Sequence, residues 1–138
     1  MKLFLDCEFN GLGGDLISMA LVSGCGYEWY EVLPCDHPVE WVYLNVIPVL
    51  KKKPLADISS LSSSLENFLQ QFSEVHIVAD WPDDIRYFCE ALITGPGERI
   101  DTPPLTMEVI RVDAKSECPH NALADARGIR DLTVQQAG

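Results

Sequence analysis

The fold is decided by a stretch near the start of the chain that reads Leu3-Phe4-Leu5-Asp6-Cys7-Glu8-Phe9. Its apolar residues predict a short buried strand over residues 2–6, at the end of which two carboxylates are separated by one residue. Side chains alternate along a strand, so Asp6 and Glu8 project from the same face. Two neighbouring acids repel each other and are costly to bury. A divalent cation with oxygen ligands relieves both problems, so this stretch predicts a metal site.

Composition narrows the class of protein. The chain has 138 residues, 47% of them hydrophobic, which is enough for one domain over residues 1–138 with a buried core. Five cysteines without a C-x-x-C pair indicate reduced thiols and hence a cytoplasmic protein. We expect no membrane partner, because no apolar run approaches the roughly 20 residues of a membrane span. The acids at positions 6 and 8 also interrupt any signal-peptide pattern.

The net charge of −11 argues against a nucleic-acid binder held by a broad basic surface. It does not argue against an enzyme that meets phosphates through bound cations, because the acids that hold the metal add to the negative charge.

The pattern of the chain predicts an α/β domain with a mixed five-stranded sheet flanked by helices. Glycine-containing turns separate strands at 2–6, 16–22 and 27–32, which predicts an antiparallel meander of three strands. Two further strands are predicted at 75–79 and 106–112. Helices are predicted at 38–50, at 59–72, from after Asp80 to about Leu92, and from about Ala122 onward with Asn121 as its N-cap. The first helix has four candidate inward positions, Trp41, Leu44, Val46 and Ile47.

Further carboxylates stand where predicted elements begin or end. Asp80 follows the fourth strand, Asp83 and Asp84 open the next helix, and Asp125 lies in the first turns of the last helix. Ligand sites in open α/β sheets gather at such positions. Taken singly, these acids are typical of helix starts and solvent-facing surfaces. Taken together with Asp6 and Glu8, they predict two divalent metals of the kind used in phosphoryl chemistry.

His120 lies in the loop just before the last helix and is typical of a turn when considered alone. An imidazole suits a general base that takes a proton from water. Five residues on a continuous helix are about 140° out of register, so we expect His120 on a loop rather than on the helix of Asp125.

In this order, the motifs resemble the DEDDh branch of the DEDD exonucleases, which have a ribonuclease H-like fold. Asp6-Cys7-Glu8-Phe9 resembles the first motif, D-x-E-F, and residues 16–22 resemble the strand that usually follows it. Val78-Ala79-Asp80-Trp81-Pro82-Asp83-Asp84 is similar to the second motif. His120-Asn121-Ala122-Leu123-Ala124-Asp125-Ala126 is similar to the third, H-x(4)-D-A. Within the superfamily the chain resembles most the small RNase AS-like exoribonucleases.

The resemblance implies a 3′–5′ exoribonuclease that uses two Mg²⁺ or Mn²⁺ ions, acts on the 3′ ends of single-stranded RNA, releases nucleoside 5′-monophosphates and forms a homodimer. It implies Asp6, Glu8, Asp84 and Asp125 as metal ligands and His120 as the base. Asp80 stands where the family usually has Asn, and Asp80 rather than Asp84 is the alternative third acid.

Phe9 at the end of the first motif and the next two residues, Asn10 and Gly11, are the candidate substrate contacts together with His120. Phe9, with Leu12, would stack on or wedge between terminal bases, and the alternative for Phe9 is a place in the core. Two alternatives to an exoribonuclease stay open. One is a 3′–5′ exodeoxyribonuclease, and the other is a catalytically silent nucleic-acid-binding or regulatory module of the same fold.

Overall fold

The computed structural model describes the backbone of residues 1–137 and the side chains of residues 1–134. The strands are β1 (Lys2–Phe9), β2 (Leu16–Ser23), β3 (Glu28–Val32), β4 (Val75–Ala79), β5 (Ile93–Gly95), β6 (Glu98–Arg99) and β7 (Leu105–Val109). The helices are α1 (Glu40–Asn45), α2 (Ile58–Leu69), α3 (Pro82–Leu92) and α4 (Ala122–Ala137), with a short 3₁₀ turn at Ile47–Val49.

Five of the strands form one mixed sheet in the order β3-β2-β1-β4-β7. The first three strands are an antiparallel meander, while β4 pairs parallel to β1 and β7 pairs parallel to β4. The prediction of an α/β fold with a three-stranded meander and two further strands is therefore confirmed. β1 lies in the middle of the sheet, with β2 on one side and β4 on the other.

The two faces of the sheet are covered by different helices. On one face, Leu3, Leu5 and Cys7 of β1 belong to a core that also contains residues of α2 and α3. On the other face, Phe4 of β1 packs with Ala122, Ala126 and Ile129 of α4. Asp6 and Glu8 share the parity of Phe4, so β1 directs both acids toward the side of the sheet that α4 covers.

The helix predicted at 38–50 is shorter than expected, and two of its four predicted inward residues are exposed although Val46 is buried as predicted. α1 has only six residues and a 3₁₀ turn containing Pro48 follows it, since proline cannot donate the backbone hydrogen bond of a continuing helix. Trp41 is 53% exposed and Leu44 is 61% exposed, whereas Val42 and Val46 are buried. The buried pair has the i,i+4 spacing of one helix face, and the two larger residues lie outside it.

The sequence prediction also missed the hairpin of β5 and β6. No strand was predicted between Leu92 and residue 106, but Ile93 pairs with Arg99 and Gly95 with Glu98. Gly97 has φ +69°, which suits glycine in a tight turn after Pro96. Strands this short lack a pattern of alternation, which explains why they were not predicted.

Other boundaries differ by a few residues. β1 continues to Phe9 rather than ending at residue 6, because its pairing with β2 extends that far, and β7 ends at Val109 rather than at residue 112. The five cysteines are free thiols, as expected. Among residues 1–137, no helix has both the length and the apolarity that crossing a bilayer requires.

Candidate metal centre

Asp6, Asp80 and Asp84 converge where β1 and β4 run side by side. Leu5 and Ala79 are the last parallel partners of the two strands, so Asp6 and Asp80 are the next residues on each. Asp84 lies in the first turn of α3, which starts two residues after Asp80. The three residues each offer a carboxylate oxygen within 4.8 Å of the others. We call these three residues the Asp84 group.

A second set of carboxylates shares Asp6. Glu8 is two residues further along β1 on the same face, and Asp125 approaches from the first turn of α4. Asp6, Glu8 and Asp125 each offer an oxygen within 4.8 Å of the others. We call these three residues the Glu8 group. Asp6 is the only member common to both groups, which is the position expected of an acid that bridges two cations.

The electrostatics of this cluster oppose full ionisation of the protein alone. Burial, reinforced by the charges of Asp84 and Glu8, raises the pKa of Asp6 well above its usual range. Burial and the neighbouring Asp125, through its charge and a hydrogen bond, raise the pKa of Glu8 to about 9. Burial and the charge of Asp80 raise the pKa of Asp84 to about 8.

Two oxygen atoms at the centre of the cluster have no hydrogen-bond partner. Asp6 Oδ2 and Asp84 Oδ2 are buried, and neither accepts a hydrogen bond. A buried polar atom without a partner is unfavourable unless something else satisfies it. Hard divalent cations such as Mg²⁺ or Mn²⁺ prefer carboxylate oxygens. The donor set, its unsatisfied oxygens and its excess of negative charge therefore all fit divalent metal ions.

His120 lies beside the Glu8 group but is not a member of either group of possible ligands. It occupies the turn before α4 with φ +71°, so the prediction of a loop position is confirmed. Its backbone N–H donates to Asp125 Oδ2 at 3.1 Å, and its ring meets the edge of Trp41 with centroids 4.8 Å apart. The His120 backbone is thus tied to the Glu8 group, while its partly exposed ring lies against Trp41.

Asn121 fixes the start of α4 and hence the residues on either side of it. Its Oδ1 accepts from the backbone N–H of Ala124 at 3.0 Å, which confirms the predicted N-cap. Its Nδ2 also donates to the carbonyl of Val49 at 2.7 Å, which ties α4 to the 3₁₀ turn. The sequence indicated the cap but gave no signal for this second bond, because its acceptor is a backbone atom distant in the chain.

The candidate substrate contacts at the end of β1 and just after it have structural partners of their own. Phe9 stacks on Tyr87 with ring centroids 4.8 Å apart and packs against the core. The Asn10 side chain donates to the carbonyl of His37 at 2.9 Å and accepts from the N–H of Val39 at 2.8 Å. Gly11 has φ +77°, and Leu12 is 97% exposed. A role for Phe9, Asn10 and Gly11 in binding substrate stays a prediction.

A β-bulge next to Glu8 was not predicted. Glu8 pairs with Ser18 and Phe9 pairs with Leu16, so Ile17 has no partner on β1. Bulges commonly redirect side chains beside functional sites. The register of two strands depends on tertiary contacts, and nothing in the apolar run of β2 marks this irregularity in advance.

The chain matches no protein-family model, and no curated protein matches it significantly.

Proposed function

We propose that this protein is a metal-dependent 3′–5′ exoribonuclease with a ribonuclease H-like fold. In the proposed reaction it hydrolyses the last phosphodiester bond of single-stranded RNA and releases nucleoside 5′-monophosphates. The observation that carries the proposal is that the Asp84 group and the Glu8 group, two sets of three acidic residues, share Asp6. A sheet of three antiparallel strands followed by two parallel ones also agrees with the fold that the resemblance implies.

The proposed ligands are Asp6, Glu8, Asp84 and Asp125, with Asp80 as the neighbour that competes with Asp84. When bound, two divalent ions supply positive charge that stabilises the charge developing on the scissile phosphate. The carboxylates would hold that charge in place, and Asp6 would belong to both sets of ligands. Their placement on β1, α3 and α4 keeps them fixed relative to one another.

His120 is the proposed general base. It would accept a proton from the attacking water at its imidazole, the side chain that most often serves as a general base. Its backbone bond to Asp125 and its ring contact with Trp41 hold it beside the Glu8 group. A base that is only partly buried can both meet the water and release the proton to solvent.

A test of this function uses RNA and DNA oligonucleotides of identical sequence, each labelled at the 5′ end. With Mn²⁺ or Mg²⁺ we expect stepwise shortening of the RNA from the 3′ end and mononucleotide products on chromatography. Chelation should stop the reaction and leave the protein folded. An RNA blocked at its 3′ end is the matched control, because an endonuclease would still cleave it.

Other results would support one of the alternatives. Faster shortening of the DNA would indicate an exodeoxyribonuclease. Binding of single-stranded RNA without hydrolysis in either metal would indicate a silent module. Hydrolysis that persists unchanged in Asp6→Ala and His120→Ala would contradict the assignment of the active site.

A further inference from the structure

Ser18 carries a buried hydroxyl that the packing of β2 does not require. β2 is buried along its whole length, and Ser18 is 0% exposed. Its Oγ makes no hydrogen bond of ordinary geometry, although the phenol of Tyr30 on β3 lies near enough to interact with it. Other buried serines are satisfied, since Ser23 Oγ accepts from the N–H of Tyr27 at 2.8 Å and Ser62 Oγ donates to the carbonyl of Ala91 at 2.7 Å. An unpartnered hydroxyl in the core costs stability that alanine at the same position would not.

The register of the sheet brings this hydroxyl to the acid cluster. Ser18 on β2 is the direct partner of Glu8 on β1. Side chains of directly opposed residues in an antiparallel pair share one face, with their Cβ atoms roughly 4.5–5.5 Å apart. The bulge at Ile17 lies next to this pair. Glu8 and Ser18 are therefore the final pair in regular register before the pairing shifts to Phe9 with Leu16.

A carboxylate that holds a cation has lone pairs left over. Each ionised carboxylate has about four acceptor positions, and a metal ion uses only part of them. Ligating carboxylates in proteins are usually hydrogen-bonded by a neighbouring group that orients them. The Glu8 carboxyl has a side-chain hydrogen bond with Asp125, and Ser18, its direct partner on β2, offers a second donor from the other side.

We propose that the Ser18 hydroxyl is a positioning group that donates a hydrogen bond to the Glu8 carboxylate when the acid cluster holds its cations. The proposal rests on the proposed function, because it assumes that the Glu8 group binds metal. It explains why a polar residue stands in a strand that is otherwise apolar from Leu16 to Val22.

The experiment measures Mn²⁺ affinity by calorimetry and thermal stability without metal for the whole chain and three variants. Ser18→Ala removes the proposed donor, and Ser18→Thr keeps a hydroxyl at that position. Ser62→Ala is the matched control, since Ser62 is equally a buried serine but has a structural partner. Circular dichroism establishes that each variant is folded.

We expect Ser18→Ala to weaken Mn²⁺ binding by roughly 10–100-fold, as is typical when a group behind a metal ligand is lost. Its Tm without metal should be equal to or above that of the wild type, because an unsatisfied hydroxyl is removed. Ser18→Thr should bind Mn²⁺ more tightly than Ser18→Ala. Ser62→Ala should show the opposite pattern, with a lower Tm and unchanged Mn²⁺ affinity.

Two results would overturn this inference and leave the proposed function standing. One is wild-type Mn²⁺ affinity in Ser18→Ala, and the other is a loss of Tm in Ser18→Ala as large as that in Ser62→Ala. The second result would assign the hydroxyl to the fold, where the phenol of Tyr30 on β3 is its other polar neighbour. If the wild type itself bound no Mn²⁺, the proposed function would fail and this inference with it.

Discussion

The Asp84 group and the Glu8 group, which share Asp6, are assembled from different parts of the chain. The Asp84 group comes from neighbouring parts of the fold, because Asp6 and Asp80 continue two paired strands and Asp84 is in the helix that follows directly. The Glu8 group needs Asp125, which arrives on the last helix. The segment 110–121 that leads to this helix contains neither helix nor strand.

The groups also differ in how their acids are held. Asp84 is only 2% exposed, and its Oδ2 has no hydrogen-bond partner. Asp125 is partly exposed, and its Oδ2 accepts a hydrogen bond from the backbone of His120. The difference suggests that local chain geometry sets one half of the site, while the docking of α4 sets the other. Variants on the two sides should therefore fail in different ways.

The largest effect is expected at the residue the two groups have in common. Asp6→Asn removes a ligand from both, so Mn²⁺ affinity and RNA hydrolysis should fall by more than the roughly 100-fold that loss of an outer partner costs. The metal-free protein should be more stable than wild type, because the substitution relieves burial of a charge among like charges. Calorimetry, a nuclease assay and thermal melting measure the three quantities.

The control for Asp6→Asn is Asp131→Asn, which changes an acid that is 60% exposed and far along α4. It should leave metal affinity and hydrolysis unchanged. If Asp6→Asn retained wild-type Mn²⁺ affinity, the two groups would not share a ligand, and the comparison between them would lose its basis.

The sheet and the positions of the acids could be predicted from sequence because they depend on short-range patterns. The alternation along β1 indicated that Asp6 and Glu8 share a face, and the helix start after Asp80 was visible from Pro82 and the acids beside it. The same patterns predicted the three-stranded meander. These are features that a few consecutive residues determine.

The rest depends on contacts between distant segments. The bulge at Ile17, the bond from Asn121 to Val49 and the unsatisfied hydroxyl of Ser18 follow from strand register and from the packing of α4. Trp41 and Leu44 were mispredicted as inward residues, because Val42 and Val46 form the face of this segment that packs on the core. The sequence also could not choose between Asp80 and Asp84, and the structure brings both next to Asp6.

The second prediction separates these two aspartates within the Asp84 group. Asp84→Asn should lose Mn²⁺ affinity and hydrolysis with the fold intact, because its buried oxygen has only a metal ion to satisfy it. Asp80→Asn should lose less of both, since Asp80 is only partly buried. Both variants are measured by the same calorimetry and nuclease assay. An active Asp84→Asn beside an inactive Asp80→Asn would make Asp80 the third acid.

The third prediction tests the role of His120, which lies beside the Glu8 group. His120→Asn removes the proposed base but keeps a residue that tolerates the positive φ of this position. The turnover number should fall by at least about 100-fold, the usual contribution of a general base. Mn²⁺ affinity should stay near that of the wild type, because His120 belongs to neither group. A parallel loss of affinity would instead make His120 part of the metal site.

The smallest effect is expected in the pH dependence of stability. The pKa values of Asp84 and Glu8 are raised to about 8 and about 9, whereas carboxyls in the unfolded chain titrate near roughly 4. Between these limits the folded, metal-free protein binds more protons than the unfolded chain. Its stability should therefore be greatest at low pH and decline as the pH rises through about 8 to 9.

Metal should reverse this trend, because cations replace the protons that the folded acids otherwise retain. Thermal melting at several pH values, with chelator and with Mn²⁺, measures both effects. We expect the Mn²⁺-induced rise in Tm to be larger near pH 8 than near pH 6, by a few degrees at most. Asp6→Asn should flatten the dependence in chelator, since it removes one of the interacting carboxyls. If the metal-free protein instead became more stable from about pH 6 to about pH 8, the acids would already be ionised in the folded state. The repulsion expected between the buried carboxylates would then be absent.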